Sequence, residues 1–331
     1  MRAPTISLAY LAILTMSSAP SEALPTAPSI NKVIQYPLPT WLENIAVRSN
    51  GNLLATTLSV TPPNPPELLL IDPSANPPTS KVISAFDGTN VTGLLGIVEI
   101  EHDVFAFVGG NISTTGAYAV YKADLNTDPA TISKIADVPA GGLLNGMAKL
   151  NDDILLITDS MVGNVVNFNI KTGESETVLD DASLKPATVN GSFVKAGANG
   201  IKIHGSYVYY TNSALKSLYR VRIDCETGKA TGPFEELATD MPDADDLALL
   251  RDGTAFVAVG KGNVVEKVRF DGEQSVYAGG LNSSAIPGPT ATALGKFAGR
   301  DVVFVVTNGA INNKINGTYA EGGSVIAVDL R

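Results

Sequence analysis

Apolar residues fall along this chain in short runs that are separated by turns rich in Gly, Asn, Asp and Pro. Six segments share one order of features: a small or polar residue, an apolar strand, a tight turn, and a second apolar strand that ends in small polar residues. These segments start roughly 50 residues apart and occupy 43–58, 94–110, 144–160, 198–213, 245–260 and 290–308. A repeat of that length predicts a protein built from copies of one structural unit.

Each pair of strands is followed by a third apolar run, and in the first five units by a fourth. The third runs lie at 67–72, 117–125, 164–170, 217–223, 263–270 and 324–330, and the fourth at 81–86, 132–137, 176–180, 234–238 and 275–280. The sixth unit has no fourth run, but a run of the same kind, NKVIQYPL, precedes the first unit. We therefore predict an all-β, six-bladed β-propeller over residues 24–331, with its last blade closed by the N-terminal strand. Two β-sandwiches, the alternative, would not explain six spaced starts.

The first strand of each blade lines the central channel of a propeller, so the residue at its start faces the channel mouth. Aligning the six units puts these residues at equivalent positions: Glu43, Leu95, Asn145, Asn199, Asp245 and either Thr290 or Thr292. Four of them carry a carboxyl or amide oxygen and come from four different blades. Each one taken singly is explained as a turn former before a strand. Together the four predict a shared polar site at the mouth.

The first residues of the chain have the order of a secretory leader. Arg2 is followed by an apolar stretch and by small residues, which predicts a signal peptide over residues 1–23. The alternative is an ordinary buried helix at the N-terminus. Sequons for N-glycosylation follow at Asn90, Asn111, Asn190, Asn282 and Asn316. These features predict a protein of the secretory pathway, secreted and glycosylated, and no stretch is long enough for stable insertion in a membrane.

Charge and composition narrow the choice of partners. The 331 residues carry a formal net charge of −10, and no run of basic residues occurs. Such a chain is repelled by nucleic acid and by anionic membranes, which leaves small molecules as the expected partners. The chain has one cysteine, Cys225, so an internal disulfide is excluded and its stability depends on packing of the core.

The chain has few histidines and cysteines that could act in covalent or acid–base catalysis. The two histidines, His102 and His204, fall in turns between the first and second strands of their units, away from the channel. No P-loop, nucleophile elbow or zinc-type cluster occurs. A hydrolase would therefore depend on water activated by a metal ion, with Asp245 or Glu43 as the base.

A cycloaddition needs none of that machinery, because an apolar pocket that orients two reactants lowers the barrier by itself. The apolar candidates for such a pocket are Trp41, Leu95, Met147 and Met161, each of which is also explained by ordinary packing between blades. Hydrogen-bond donors directed at a substrate carbonyl would add to the rate. The candidate donors are Asn145, Asn199 and Asn212, supported by Ser160 and Thr290. Asn199 has two uses, because its carbonyl oxygen suits a cation and its N–H groups suit a substrate carbonyl.

The polar residues at the blade starts resemble those of the gluconolactonase, regucalcin and strictosidine-synthase-like superfamily of six-bladed propellers. That superfamily holds a divalent cation, often Ca²⁺, near the channel axis. The resemblance implies Glu43, Asn145, Asn199 and Asp245 as metal ligands and catalytic residues, in line with the preference of Ca²⁺ for oxygen donors. The chain departs from the superfamily pattern at Asp246, which stands where the pattern usually has Gly.

A second resemblance is to secreted-type fungal pericyclases of secondary metabolism within that superfamily. It is carried by the blade starts LENIAVRSNGNLL, LLNGMAKL and GANGIKI, by the chain length and by the leader. It implies a hetero-Diels–Alderase that adds a tropolone-derived quinone methide to a humulene-type sesquiterpene, with no cofactor required. The alternative is a Ca²⁺-dependent lactonase of the gluconolactonase type. A binding module without activity ranks last, because no WD or kelch signature occurs.

Overall fold

The computed structural model of the chain describes Met1 and residues 27–60 and 64–331. Apart from Met1, the predicted signal peptide lies outside the described residues. The part of the chain that is described forms strands almost throughout, with two single-turn 3-10 helices. Neither of these helices is long and apolar enough to cross a membrane.

The elements follow one another in short succession. They are β1 Ile30–Gln35, β2 Trp41–Val47, β3 Leu53–Leu58, β4 Glu67–Asp72, β5 Thr79–Ala85, β6 Gly93–Glu101, β7 Val104–Gly110, β8 Tyr118–Asp124, β9 Thr131–Asp137, β10 Leu144–Lys149, β11 Ile154–Asp159, β12 Asn164–Asn169, β13 Ser175–Leu179, a 3-10 turn Ala182–Leu184, β14 Ala187–Val189, β15 Ser192–Lys195, β16 Ala198–His204, β17 Tyr207–Asn212, β18 Ser217–Ile223, β19 Ala230–Ala238, β20 Ala244–Leu249, β21 Ala255–Val259, a 3-10 turn Gly260–Gly262, β22 Val264–Val268, β23 Gln274–Gly279, β24 Pro289–Phe297, β25 Arg300–Thr307 and β26 Ser324–Asp329.

Six four-stranded antiparallel units account for all but two of these strands. Blades 1 to 5 are β2–β5, β6–β9, β10–β13, β16–β19 and β20–β23, and blade 6 is β24, β25, β26 and β1. Blades 1 and 2 are joined by one further pair, Leu58 and Gly93. The first strands of the blades, called the inner strands below, contact one another in chain order, and β24 contacts β2. The ring is therefore closed, which confirms the predicted all-β propeller.

The last blade is completed by the beginning of the chain. Strand β1 pairs antiparallel with β26, from Ile30 beside Val328 to Gln35 beside Ser324. This pairing confirms the predicted closure by the N-terminal strand. It joins the beginning and the end of the chain in one blade, and it covers the edge of β26 that would otherwise be unpaired. A small hairpin, β14 and β15, was not expected from the repeat and interrupts the connection between blades 3 and 4.

The apolar core is divided into six clusters, one between each pair of neighbouring blades. The second strands read as unbroken apolar runs because both of their faces are buried. In β7, Phe105 and Phe107 pack toward blade 1, whereas Val104, Ala106 and Val108 pack toward blade 3. Alternate residues of a strand point to opposite faces, so each second strand supplies side chains to two clusters.

A register shift marks the beginning of every inner strand. It falls between Leu42 and Asn44, Leu94 and Ile97, Leu144 and Met147, Ala198 and Ile201, Ala244 and Leu247, and Pro289 and Ala291. The residues that the sequence aligned at the channel mouth lie within these β-bulges. In blade 6 the residue at the bulge is Thr290, whereas Thr292 pairs regularly with Val305. A bulge re-aims the side chain it carries, which turns these residues toward the channel.

The glycines that follow the bulged residues allow the inner strands to approach closely. A Cβ on Gly146 would lie 2.5 Å from the carbonyl oxygen of Asn199, and a Cβ on Gly200 would lie 2.5 Å from Cα of Asp246. Neither glycine adopts a positive φ. The Asn-Gly pairs of blades 3 and 4 are therefore bulges in a tightly packed ring and not turns.

Threonines on the second strands join the bulges of neighbouring blades. Thr211 Oγ1 accepts a hydrogen bond from the Gly200 amide (2.9 Å) and donates to the Asp245 carbonyl oxygen of the next blade (2.7 Å). Thr56 Oγ1 accepts from the Asn44 amide and donates to the Leu95 carbonyl oxygen. Thr158 Oγ1 accepts from the Gly146 amide and donates to the Asn199 carbonyl oxygen. Each hydroxyl thus satisfies a backbone N–H that the bulge leaves without a backbone partner.

Replacing one of these hydroxyls tests how much the ring depends on them. Thr211→Val keeps the shape of the side chain but removes the partner of a buried N–H and of a buried carbonyl. We expect the free energy of unfolding in urea to fall by about 1–3 kcal/mol. Thr131→Val on the exposed outer strand β9 is the control and should change it by less than about 0.5 kcal/mol. Equal effects of the two variants would contradict this account.

Candidate functional site

Four polar residues predicted from the repeat lie together at the channel mouth. Glu43, Asn145 and Asn199 are each 7% exposed, and Asp245 is half-buried. They come from blades 1, 3, 4 and 5. Their shared position follows from the bulge at the start of each inner strand, so the fold itself gathers them at one end of the channel.

The side-chain amide of Asn199 has a fixed orientation. Its Nδ2 donates to Ser213 Oγ (3.0 Å), and Ser213 Oγ donates to the Ala244 carbonyl oxygen (2.7 Å). A hydroxyl has one hydrogen, so Ser213 can only accept from Asn199, and the NH₂ group must face it. The other end of the amide, Oδ1, is buried without a hydrogen-bond partner.

Asn145 repeats the arrangement one blade earlier. Its Nδ2 donates to Ser160 Oγ (3.2 Å), which donates to the Ala198 carbonyl oxygen (2.6 Å). One N–H of each amide that the sequence proposed as a substrate donor is therefore directed at a serine of the same blade. The second N–H of each amide makes no bond to the serine, and the Oδ1 atoms lie at the opposite end of the two amides from the serines.

Glu43 is a carboxyl group in an environment that disfavours its charge. Trp41 Nε1 donates to Glu43 Oε2 (2.7 Å). Burial raises the pKa of Glu43 to about 7. The hydrogen bond from Trp41 lowers this pKa, and the negative charge of Asp246 raises it. Trp41 can only donate, so in the protonated acid Oε2 accepts and the proton resides on Oε1.

Asp245 responds to the same surroundings. Burial raises its pKa well above the ordinary range, and the nearby carboxyl groups of Glu43, Asp246 and Asp243 raise it further. Two carboxyl groups that share a site cannot both ionise easily, so Glu43 and Asp245 titrate as a pair. Both carboxyl groups therefore keep their protons to a higher pH than an ordinary carboxyl group does, which makes the pair a candidate hydrogen-bond donor at the mouth.

A network of side chains that the repeat analysis did not identify lies directly below the carboxyl pair. Asp246 accepts from Asn44 Nδ2 (2.8 Å) and from Lys202 Nζ (2.7 Å to each oxygen). The sequence signalled only one member of this network, Asp246, as a departure from the superfamily pattern. Asn44 and Lys202 gave no signal, because their meeting depends on how the ring closes.

Four further predicted residues are packed in the core or hydrogen-bonded within the protein. Leu95 and Met147 are 2% and 1% exposed and belong to the cluster between blades 2 and 3. The hydroxyl of Thr290 is directed at the Leu42 carbonyl oxygen of blade 1 (2.8 Å). Ser160 orients Asn145. Packing, the alternative interpretation of Leu95 and Met147, therefore describes their surroundings in this structure.

Asn212 has a structural role in a loop beside the mouth. Its Nδ2 donates to the carbonyl oxygens of Ser183 (2.8 Å) and Lys185 (3.0 Å), and its Oδ1 accepts from the Leu215 amide (2.9 Å). These bonds use both of its N–H groups, so Asn212 has none left for a substrate. Asp159 has the equivalent position in blade 3 and likewise holds a loop through backbone amides.

Two of the predicted apolar residues keep partial exposure at this end of the propeller. Trp41 and Met161 are half-buried. Asp159 Oδ1 accepts from the Met161 amide (3.0 Å) and fixes its loop, while the Met161 sulfur lies 3.6 Å from Thr115 Oγ1. Trp41 is fixed by its bond to Glu43. These two side chains are the partly exposed apolar surface that the predicted set contributes at this end of the propeller.

The chain's histidines and its cysteine lie away from the mouth. His102 is in the turn that joins the first and second strands of blade 2, and His204 is the last residue of the first strand of blade 4, so both lie at the opposite end of the inner strands. Cys225 is exposed in the turn after β18. Among residues 27–60 and 64–331, no group of three or more His, Cys, Asp and Glu side chains is arranged to hold a metal ion.

The raised pKa of Glu43 predicts a pH-dependent stability. Because the folded pKa of about 7 exceeds the ordinary 4.5, the contribution of Glu43 to stability is complete below about pH 4.5 and is lost as the pH rises toward 7. Relative to Glu43→Gln, the natural protein should lose about 3 kcal/mol of unfolding free energy across that window. Urea unfolding of both proteins at several pH values measures this difference. A difference that stays constant with pH would contradict the assignment.

Comparison with known proteins gives relatives for nearly the whole chain. No protein-family model matches it. A protein of Phoma sp named "Putative hetero-Diels-Alderase" is 30% identical over 322 residues, which cover 87% of this chain and 89% of the relative. A protein of Sarocladium schorii named "Putative hetero-Diels-Alderase asR5" is 27% identical over 237 residues, which cover 64% of this chain and 58% of the relative.

Solved structures share the fold at much lower identity. A calcium-binding protein, regucalcin, from Agrobacterium tumefaciens has a TM-score of 0.61 at 15% identity, covering 92% of this chain and 96% of its own. A luciferin-regenerating enzyme has a TM-score of 0.65 at 15% identity, with the same coverage. These likenesses establish the propeller fold, and the sequence relatives establish the kinship: the chain belongs to the hetero-Diels–Alderase family.

Proposed function

We propose that this chain is a pericyclase that catalyses an intermolecular hetero-Diels–Alder cycloaddition. The single observation that carries the proposal beyond kinship is the meeting of the Glu43 and Asp245 carboxyl groups at the channel mouth, where burial and neighbouring carboxyl groups raise the pKa of both. The only histidines and the only cysteine of the chain lie elsewhere. The mouth thus offers a hydrogen-bond donor without a histidine or cysteine to act as nucleophile.

The proposed substrates are those that the resemblance implies. The heterodiene is a tropolone-derived quinone methide, and its partner is an alkene of a humulene-type sesquiterpene. One C–O bond and one C–C bond form in the cycloaddition, no group leaves, and no proton is transferred overall. The enzyme therefore needs to bind, orient and polarise, and it does not need to form a covalent intermediate. No cofactor is required for this reaction.

Glu43 is proposed as the group that polarises the heterodiene. The carbonyl oxygen of a quinone methide gains negative charge as the new bonds form, and a fixed donor stabilises that charge. The proton on Glu43 Oε1 is such a donor, held in place because Oε2 accepts from Trp41. Trp41 and Met161 supply apolar contact, and the carbonyl oxygens of Asn145 and Asn199 accept hydrogen bonds from substrate hydroxyl groups. Holding two reactants together in this way removes part of the entropic barrier.

Substitutions of Glu43 separate donor chemistry from charge. Glu43→Gln keeps an acceptor for Trp41 and an N–H donor, so we expect partial activity that no longer depends on pH. Glu43→Leu removes the donor and should lower kcat for cycloaddition by about 100-fold. The natural enzyme should lose activity as the pH rises through about 7, because Glu43 then loses its proton. Product formation from the two reactants, corrected for the uncatalysed reaction, gives these rates.

A buried glutamate outside the site provides the matched control. Glu266 on β22 is 8% exposed, and burial raises its pKa as well. Glu266→Gln should leave both the rate and its pH profile unchanged. A Glu43→Leu enzyme that is folded and as fast as the natural one would exclude Glu43 as the donor. Absence of any acceleration by the natural enzyme would exclude the proposed activity.

The second candidate is a Ca²⁺-dependent lactonase, which the same residues also support. The unpartnered Oδ1 of Asn199 and two carboxyl groups that repel each other form a donor set that fits a hard cation. Glu43, Asn145, Asn199 and Asp245 would hold the ion. When bound, Ca²⁺ would polarise a lactone carbonyl and favour its attack by water. Repeating the assays with excess Ca²⁺ and with chelator separates the candidates, because only the lactonase should lose activity in chelator.

We also propose that the protein passes through the secretory pathway. All five sequon asparagines lie in loops that lead into inner strands or join second to third strands, which are the loops of the mouth end. Four of them are exposed, and Asn111 is half-buried with its Nδ2 bonded to Asn90 Oδ1 (3.0 Å). Glycans at these positions would surround the mouth and leave the other end of the propeller bare.

Glycosidase treatment tests the proposed glycosylation. Protein made with its own leader in a fungal host should gain electrophoretic mobility after enzymatic removal of N-glycans. Replacing Asn190, Asn282 and Asn316 by Gln should reduce the shift stepwise, because these side chains are exposed. Mobility that does not change with the enzyme would contradict glycosylation at all five positions.

A further inference from the structure

The channel below the mouth is crossed by one side-chain network that joins three blades. Asp246 of blade 5 accepts hydrogen bonds from Lys202 of blade 4, from Asn44 of blade 1 and from the Leu247 amide (2.8 Å). Blades 1 and 5 are not neighbours, because blade 6 lies between them. The bond between Asn44 and Asp246 therefore runs through the interior of the ring.

The network is buried and electrostatically balanced. Asp246 is 2% exposed and Asn44 is 4% exposed, while the side chain of Lys202 is 28% exposed. A carboxylate at such depth is tolerated only with a close counter-charge and with its oxygens bonded. Lys202 supplies that charge, with Nζ 2.7 Å from each oxygen of Asp246. Removing Lys202 would leave an uncompensated anion in the channel.

The network is also continuous with the candidate site through the backbone. Asn44 directly follows Glu43, and Asp246 directly follows Asp245. The side-chain bond between the second members of these two pairs therefore fixes the separation of the first members. On the side of blade 4, Gly200 abuts the network, since a Cβ there would lie 2.5 Å from Asp246 Oδ1.

We propose that Lys202 is a positioning residue of the candidate site: its ion pair with Asp246 closes the channel below the mouth and keeps Glu43 and Asp245 facing each other. This inference deepens the proposed function and rests on it for the catalytic consequence. Lys202 does not touch the reactants in this scheme. It acts through Asp246, and it limits the negative charge that reaches the carboxyl pair.

The charged groups around Asp246 determine the expected effects. Lys202 of blade 4 is the base paired with it, whereas nearby Asp243 is itself paired with Lys195 and with Lys261. Removing Lys202 alone leaves a buried carboxylate without its counter-charge, and removing both partners leaves no buried charge at this point.

The test compares Lys202→Met, Asp246→Asn and the double variant. The first readout needs no substrate: the unfolding temperature of each protein is measured. We expect Lys202→Met to lower it most, because only this variant leaves the buried Asp246 carboxylate without a counter-charge. The double variant removes both charges, so its unfolding temperature should lie between that of Lys202→Met and that of the natural protein.

The second readout is the rate of cycloaddition. Loss of positioning should lower kcat of Lys202→Met by roughly tenfold and change KM less, because orientation and not affinity is lost. Lys149→Met is the matched control: Lys149 is also on an inner strand, is 27% exposed and is paired with Asp152. It should leave kcat unchanged and lower the unfolding temperature less than Lys202→Met does, because Asp152 is exposed.

The outcomes are distinguishable from a failure of the proposed function. If Lys202→Met and the double variant keep the natural kcat, as Lys149→Met should, the positioning role is overturned. If Lys202→Met does not fold, kcat of Asp246→Asn and of the double variant still decides the proposal, because each of them breaks the same ion pair. If the natural enzyme does not catalyse the cycloaddition, the proposed function fails, and the difference in unfolding temperature between Lys202→Met and the double variant still reports whether the ion pair holds the channel network together.

Discussion

The structure depends on a hydrogen bond that passes from blade to blade through a threonine hydroxyl. A bulge at the start of each inner strand leaves a backbone N–H without its usual partner, and Thr56, Thr158 and Thr211 accept from it. Each of these hydroxyls then donates to the bulge of the next blade. A buried unpaired N–H is costly, so the bulge and the threonine require each other. The same contact brings neighbouring inner strands into van der Waals range, and only glycine fits at Gly146 and Gly200.

The functional end of the molecule follows from that contact. The bulges place four polar residues at the channel mouth, and a second set of hydroxyls, Ser160 and Ser213, orients two of them. These serines donate to backbone carbonyls, so each of them accepts one N–H of an asparagine. Polar chemistry at the mouth is therefore supplied by two oriented amides and by one carboxyl pair. A site of that kind suits a reaction that needs a positioned donor and no nucleophile.

The carboxyl pair is built on two adjacent pairs of residues, Glu43-Asn44 and Asp245-Asp246. The first member of each pair faces the mouth, and the second member enters the channel network. Burial raises the pKa of both outward carboxyl groups, and neighbouring carboxyl groups raise it further, whereas Asp246 is paired with Lys202. Carboxyl groups that are adjacent in the chain thus have different surroundings. In the proposed function, the outward pair supplies the hydrogen-bond donor at the mouth.

The sequence by itself determined the blade number, the closing strand and the residues at the mouth, because each blade repeats the same apolar runs and each bulge the same local pattern. It could not determine which end of an Asn side chain is free, since that depends on the single hydrogen of a serine such as Ser213. Nor could it join Asn44 to Asp246, 202 positions apart in the chain. Local periodicity fixes what each blade looks like. Contacts across the channel exist only once six blades close into a ring, so tertiary structure alone decided the protonation and support of the site.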